Sequence, residues 1–281
     1  MDDRPAPRLH WAVGHVEVDG EDVYHELTVA ADLPADASTV VLGHGGAGSH
    51  AVWFQQVPAL AQRHRVVTWD TRGFGRSSLR TGRLDSVTAT ADLAAVLDAV
   101  GHHGPVHLVG QSMGGWWISA FATTHPERVR SLTYTNTAGG VHTPEIDRHF
   151  ADAIETATRS EPVVGGHFGV SPRFVERDPA RAFLYQQLNT LQDPPPAQVR
   201  AAVAARTAPE DLRRLGIPTL VIGSTEDALF PPELLRQLAD VIGARFALVA
   251  DAGHSTYFEV PDAWLDAYTG FIDAVDAVDA A

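Results

Sequence analysis

The sequence predicts an α/β protein built on a doubly wound, mostly parallel sheet. Short, nearly continuous apolar runs recur along the chain, and a helical stretch follows each of them. Such runs suit strands that are buried on both faces, and their alternation with helices favours a parallel sheet. The six runs are STVVLGH at 38–44, HRVVTWD at 64–70, GPVHLVG at 104–110, VRSLTYTN at 129–136, IPTLVIG at 217–223 and ARFALVA at 244–250.

Sequence signals also mark where several of the neighbouring elements begin and end. Two alternating runs, at 9–18 and 23–29, predict an antiparallel hairpin that turns through VDGED. The predicted helix at 86–101 carries its apolar residues on one face and stops at a glycine. The helix within 112–126 ends before a proline, and a closing helix at 260–275 has a proline near its start.

One connection is much longer than a crossover requires. About 80 residues separate the predicted strand near 131–137 from the next one near 217–223, and insertions of this length in compact domains are usually functional. We therefore expect residues 139–210 to form a helical cap over the sheet. Residues 1–138 and 211–281 would then form the core domain. A pair of ordinary peripheral helices is the alternative.

Composition excludes several classes of function. The chain has 281 residues and a net charge of −14, and all 21 of its basic residues are arginine. Such an acidic chain is a poor candidate for binding nucleic acid or an anionic membrane. It has no cysteine, which excludes disulfides, thiolate metal sites and a cysteine nucleophile. No secretory signal and no apolar stretch of ~18 residues is found, so we expect a cytoplasmic protein.

The segment GQSMG matches the pattern G-x-S-x-G between a predicted strand and a predicted helix. Ser112 would lie on a sharp turn that exposes its hydroxyl group in a strained conformation. A Cβ atom two residues to either side would clash, which explains Gly110 and Gly114. The free N–H groups of the following helix suit a developing anion. The pattern therefore predicts a nucleophilic serine.

A glycine-rich loop follows the first predicted parallel strand. In LGHGGAGS, at 42–49, the backbone N–H of Gly46 could turn toward the serine. Together with the N–H of Met113 it would form an oxyanion hole. We interpret His44 in this loop as a structural residue rather than a catalytic one.

Two further loops supply an acid and a base. GSTEDALFPP offers Glu226 and Asp227, and we favour Asp227 because its shorter side chain is the commoner partner of a catalytic histidine. VADAGHSTYFEVPD offers His254 as a general base for Ser112. Each of the three residues follows the carboxyl end of its own strand, and ligands gather at that edge of a parallel sheet.

From about residue 20 to 275 the chain resembles the α/β-hydrolase superfamily. The resemblance implies Ser112 as nucleophile, Asp227 as acid, His254 as base, and Gly46 and Met113 as oxyanion donors. One spacing departs from the family pattern, since the glycine before the acid is usually three residues away and is here four. The segments that carry the resemblance are HGGAGS, WDTRGFGRSS, GQSMGG, GSTEDALFPP and GHSTYFEVPD.

Within the superfamily, the segments WDTRGFGRSS and GQSMGG are similar to those of enol-lactonases. C–C hydrolases of the meta-cleavage type usually have Asn before the serine and Trp after the histidine, where this chain has Gln111 and Ser255. We therefore predict a serine hydrolase that cleaves an ester or a lactone. A C–C hydrolase and a ligand receptor without turnover are the alternatives. Asp70 and Arg72 are expected to lock a loop.

The predicted partner is a small-molecule substrate. No motif for a metal, a phosphate loop or a dinucleotide is present, so no metal or cofactor is predicted. The aromatic residues Trp117, Phe150, Phe168 and Phe183 suggest a hydrophobic substrate, although core packing would explain them equally well. A homodimer is compatible with these expectations.

Overall fold

A computed structural model of the chain describes residues 8–149, 167–190 and 194–279. Its strands form one eight-stranded sheet with the order β1-β2-β4-β3-β5-β6-β7-β8. The β1–β2 and β2–β4 pairs are antiparallel and all others are parallel, which confirms the predicted fold class. The strands are β1 Leu9–Val18, β2 Glu21–Ala30, β3 Thr39–Gly43, β4 Arg65–Trp69, β5 Val106–Gln111, β6 Val129–Thr135, β7 Thr219–Ser224 and β8 Arg245–Val249.

The predicted hairpin is formed by β1 and β2. Its turn consists of Asp19 and Gly20, which both have positive φ angles, of 51° and 84°. A two-residue turn of this kind matches the twist of the strands that it joins, and Asp-Gly is one of the sequences that favour it. The hairpin therefore follows from a local sequence signal.

Helices connect the strands, and several begin at a proline, whose fixed φ angle suits a first helical residue. A capping box begins α2, because Asp85 accepts from the Thr88 N–H and the Thr88 hydroxyl accepts from the Asp85 N–H. The helices are α1 Gln56–Leu60, α2 Ser86–Ala99, α3 Gly114–Thr124, α4, which includes residues 144–149, α5 Pro172–Arg177, α6 Pro179–Leu188, α7 Pro196–Ala202, α8 Pro209–Leu215, α9 Pro232–Ile242, α10 Thr256–Glu259 and α11 Pro261–Asp279. Short 3₁₀ turns span His50–Trp53 and Pro126–Arg128.

Apolar side chains are buried on both faces of the sheet. Because successive strand residues point to opposite faces, neighbours on β3 enter different clusters. Val41 belongs to the cluster that holds Leu93 of α2 and Phe121 of α3. Val40 belongs to the cluster that holds Trp264 of α11. The sheet is therefore covered by helices on both sides, as a doubly wound fold requires.

The long connection between β6 and β7 is helical where the structure describes it. It holds α4 to α8 and one isolated β-bridge, between Val141 and Thr207. Two of these helices, α6 and α7, begin at Pro179 and Pro196. The boundaries of a separate cap at 139–210 stay a prediction. Within the described ranges, no helix is long and apolar enough to cross a membrane.

Candidate active site

Ser112 lies on the turn between the end of β5 and the start of α3. Its φ angle is +49°, in the left-handed region that costs a residue with a side chain about 1–3 kcal/mol. The surrounding structure holds it there. Its N–H donates to the Thr135 carbonyl at 3.2 Å, and its carbonyl accepts from the Gly115 N–H at 2.9 Å and the Thr137 hydroxyl at 2.7 Å. The predicted strained serine turn is present.

Glycines flank this turn because the backbone segments touch. A Cβ at Gly110 would lie 2.5 Å from the Gly114 carbonyl oxygen, and one at Gly114 would lie 2.7 Å from the Gly43 carbonyl oxygen. A side chain at Gly110 would press on the first residues of α3, and one at Gly114 would force α3 away from the end of β3. The steric argument made from the sequence is therefore confirmed by the geometry.

The glycine loop after β3 lies against the serine turn. A Cβ at Gly45 would be 3.0 Å from the Ser112 Cβ, and one at Gly46 would be 3.9 Å from the Met113 sulfur. His44 fixes the loop, since its Nε2 accepts from the Thr71 N–H at 3.0 Å and its Nδ1 donates to the Gly45 carbonyl at 2.8 Å. Both ring nitrogens are used, in agreement with the structural role predicted for this histidine.

The loops after β7 and β8 bring a carboxylate and an imidazole together in the interior. His254 Nδ1 lies 3.1 Å from Asp227 Oδ2, and because a carboxylate only accepts, Nδ1 carries the proton. The same Oδ2 accepts from the Asn136 amide at 3.0 Å. Oδ1 accepts from the N–H groups of Leu229 and Phe230 at 2.9 and 3.0 Å. Asp227 is thus held in one orientation by four donors.

Glu226 occupies a different environment from its neighbour. Its carboxylate forms an ion pair of 3.0 Å with Arg173 and is partly exposed to solvent. Asp227 and His254 are both buried. Of the two carboxylates that the sequence offered, Asp227 is the one that contacts the histidine.

The second nitrogen of His254, Nε2, is buried and has no hydrogen-bond partner within the described residues. Buried polar atoms without a partner are rare and call for an explanation. The histidine loop is attached to the serine turn, because the Gln111 amide donates to the His254 carbonyl at 3.2 Å. Because Nδ1 is bound to Asp227, Nε2 is the ring nitrogen that remains for proton transfer to and from a reacting group.

A polar network behind this pair was not foreseen from the sequence. Asn136, directly after β6, has a φ angle of +50°. Its amide also donates to Ser224 at 2.8 Å, its carbonyl accepts from Thr256 at 2.7 Å, and Ser224 donates to the Gly253 carbonyl at 2.5 Å. Asparagine at the end of a strand tolerates the left-handed conformation, and that was the one available signal.

The four aromatic residues proposed to contact substrate have different environments. Trp117 is 1% exposed and belongs to the main apolar core. Phe168 and Phe183 are 44% and 45% exposed. Phe150 lies outside the described residues. Contact between substrate and any of the four stays a prediction.

The mostly parallel sheet and the glycine-flanked serine at its carboxyl edge define the fold of an α/β hydrolase. The sequence model of the Alpha/beta hydrolase family matches residues 40–267, and the chain belongs to that family. Similar proteins are named as an esterase and an enol-lactonase, and the chain is a hydrolase.

Three similar proteins illustrate the relationship. RutD of Azorhizobium caulinodans is 30% identical over 267 residues, which cover 91% of this chain and 96% of RutD. The 3-oxoadipate enol-lactonase 1 of Acinetobacter baylyi is 27% identical over 256 residues, which cover 89% and 94% of the two chains. The solved structure of a thermophilic esterase from Thermogutta terrifontis is 26% identical, with a TM-score of 0.74 and coverages of 95% and 99%.

Proposed function

We propose that the protein is a serine hydrolase that cleaves a small carboxylic ester or lactone, with Ser112 as nucleophile, His254 as general base and Asp227 as the acid that orients it. One observation carries this proposal. His254 binds Asp227 through Nδ1, its Nε2 is buried without a partner among the residues that the structure describes, and its loop is bonded to the residue before Ser112. Such a chain of nucleophile, base and orienting acid is the pattern of acyl transfer.

The reaction would proceed in two halves. His254 Nε2 takes the Ser112 hydroxyl proton as the serine oxygen bonds to the carbonyl carbon. The N–H groups of Gly46 and Met113 would hold the oxyanion of the tetrahedral intermediate. The carbon–oxygen bond to the alcohol then breaks, and the leaving oxygen takes the proton from His254. A water molecule repeats the sequence on the acyl-enzyme, so that acid is released and the serine regains its proton.

The names of two similar proteins support the choice of substrate class, since one is an enol-lactonase and one an esterase. An ester or lactone carbonyl is already electrophilic and has a leaving oxygen, so the triad and two N–H donors suffice. Hydrolysis of a C–C bond must first place a proton on carbon, and it needs further polar groups beside the triad. Gln111 and Ser255 stand where the C–C hydrolases usually have Asn and Trp.

Kinetics on both substrate types test this assignment. We expect turnover of p-nitrophenyl esters or simple lactones, with kcat/KM for ring-fission diketones lower by at least ~100-fold, a gap of about 2.7 kcal/mol. A Ser112→Ala preparation serves as the control for background hydrolysis. Preference for the diketone would assign the protein to the C–C hydrolases. Absence of turnover on every substrate would favour a receptor without catalysis.

A further inference from the structure

Glu259, the last residue of α10, carries a carboxylate that the reaction does not use. The residue is 2% exposed, and burying a carboxylate is costly unless donors surround it. Three donors reach it. Oε1 accepts from the Gly253 N–H at 3.0 Å and the Ser171 N–H at 3.2 Å, and Oε2 accepts from the Ser171 hydroxyl at 2.7 Å. This carboxylate therefore joins the nearby Gly253 to Ser171, which lies 88 residues away in the sequence.

The two parts have different tasks. Gly253 directly precedes His254 on the loop after β8. Ser171 begins α5, because its side chain accepts from the Phe174 N–H at 3.1 Å. The segments touch, since a Cβ at Gly253 would lie 2.7 Å from the Ser171 nitrogen and 3.0 Å from Glu259 Oε1. A side chain at position 253 would therefore push the two segments apart.

Other bonds from α5 and α6 end on the same short stretch. Arg177 donates to the Glu259 carbonyl at 3.2 Å, and Arg181 donates to the Phe258 carbonyl. The Tyr185 and Ser255 hydroxyls are 2.7 Å apart. The helices of the long insertion are thus attached to residues 255–259, immediately after the histidine.

We propose that Glu259 is a positioning residue that sets the His254 loop against the segment that begins at Ser171. One carboxylate then fixes both the placement of the base and the attachment of α5, so that its loss affects the base and α5 together. The inference rests on the proposed role of His254. Glu259 itself touches no reacting atom.

Three variants separate these effects. Glu259→Ala removes all three acceptor contacts. Glu259→Gln keeps an oxygen for the Gly253 and Ser171 N–H groups. Ser171→Ala removes the hydroxyl bond to Glu259 together with the side-chain cap of α5, and it leaves the Gly253 contact in place. Glu226→Gln is the matched control, because the Glu226 carboxylate also pairs with α5, through Arg173, while its bond to the histidine loop is made by the backbone N–H, which the substitution keeps. Each variant is assayed with p-nitrophenyl acetate and p-nitrophenyl octanoate, and its melting temperature is recorded.

We expect Glu259→Ala to lower kcat on the acetate by about tenfold or more and to raise KM for the octanoate, since both contacts are lost. Glu259→Gln should recover kcat to within about threefold of the parent. Ser171→Ala should raise KM for the octanoate more than it lowers kcat on the acetate. Glu226→Gln should match the parent.

The proposal is overturned if a folded Glu259→Ala variant has the kinetics of Glu226→Gln. It is equally overturned if Glu259→Gln is as slow as Glu259→Ala at an unchanged melting temperature, because charge and not hydrogen-bond geometry would then matter. If Glu259→Ala does not fold, the proposal is tested by comparing kcat on the acetate and KM for the octanoate between Glu259→Gln and Ser171→Ala, and it fails if the two variants do not differ. Failure of the proposed function shows separately, as full activity of Ser112→Ala.

Discussion

At the residue scale, the hydrogen bonds of Asp227 predict how a substitution there affects kcat/KM. The carboxylate receives two backbone N–H groups on one oxygen, and the Asn136 amide and His254 on the other. Its orientation is thereby fixed, and an asparagine there would present the wrong group to the imidazole. We expect Asp227→Asn to lower kcat/KM by roughly 10⁴-fold, as in other triads.

Glu226→Gln is the control for that change, because it alters the adjacent carboxylate in an ion pair with Arg173. Its effect on kcat/KM should be within about threefold. Both values come from initial rates on one ester. A larger loss in Glu226→Gln than in Asp227→Asn would move the acid role to Glu226.

Single residues differ in how far the sequence reveals them. Ser112 and its glycines are predictable because backbone sterics act within five residues. Asn136 and Glu259 are not, because Asp227 lies 91 residues from Asn136 and Ser171 lies 88 residues from Glu259. Trp117, Phe168 and Phe183 show the same limit, since helical periodicity does not say which surface an aromatic side chain meets. The structure buries the first and leaves the other two half exposed.

At the element scale, the 3₁₀ turn that follows the glycine loop is anchored through His50. Its backbone N–H and its Nδ1 both bind Asp70, at 2.5 and 2.9 Å, and its Nε2 lies 3.3 Å from Glu26. Burial alone would lower the pKa of His50. The hydrogen bond and charge of Asp70, with the charge of Glu26, raise it overall.

A raised histidine pKa makes the stability of the fold depend on pH in a known direction. The stabilisation by the protonated His50 is fully present below the pKa of the unfolded chain, and it is lost as the pH rises through the higher pKa of the folded protein. We expect His50→Gln to lower the melting temperature by several degrees near pH 6 and by clearly less near pH 9. Thermal unfolding at the two pH values measures this difference. An equal loss at both would show that the imidazolium charge contributes nothing.

The elements themselves were largely predictable. Runs of β-branched and apolar residues marked all six parallel strands, and the Asp-Gly turn marked the hairpin. The order of the strands was not readable, because β3 lies between β4 and β5 through long-range pairing. Local patterns specify which residues form a strand, whereas tertiary packing decides which strand lies next to it.

At the scale of the whole molecule, the sheet explains why distant residues meet. Ser112, Asp227 and His254 follow β5, β7 and β8, and parallel strands bring their carboxyl ends to one edge. Membership of the α/β-hydrolase family agrees with this arrangement. The sequence could not show how the helices between β6 and β7 attach to the histidine loop, since those bonds depend on side chains far apart in the chain.

The central claim is that Ser112 is the nucleophile, and labelling with a fluorophosphonate probe tests it most directly. The probe phosphonylates a serine hydroxyl that an adjacent base has activated. Intact mass and peptide mapping should show one adduct, at Ser112. The adduct should be absent from Ser112→Ala, and the ester kcat of that variant should fall by roughly 10³-fold or more at an unchanged circular dichroism spectrum. An adduct at another residue, or full activity in a folded Ser112→Ala protein, would contradict the account.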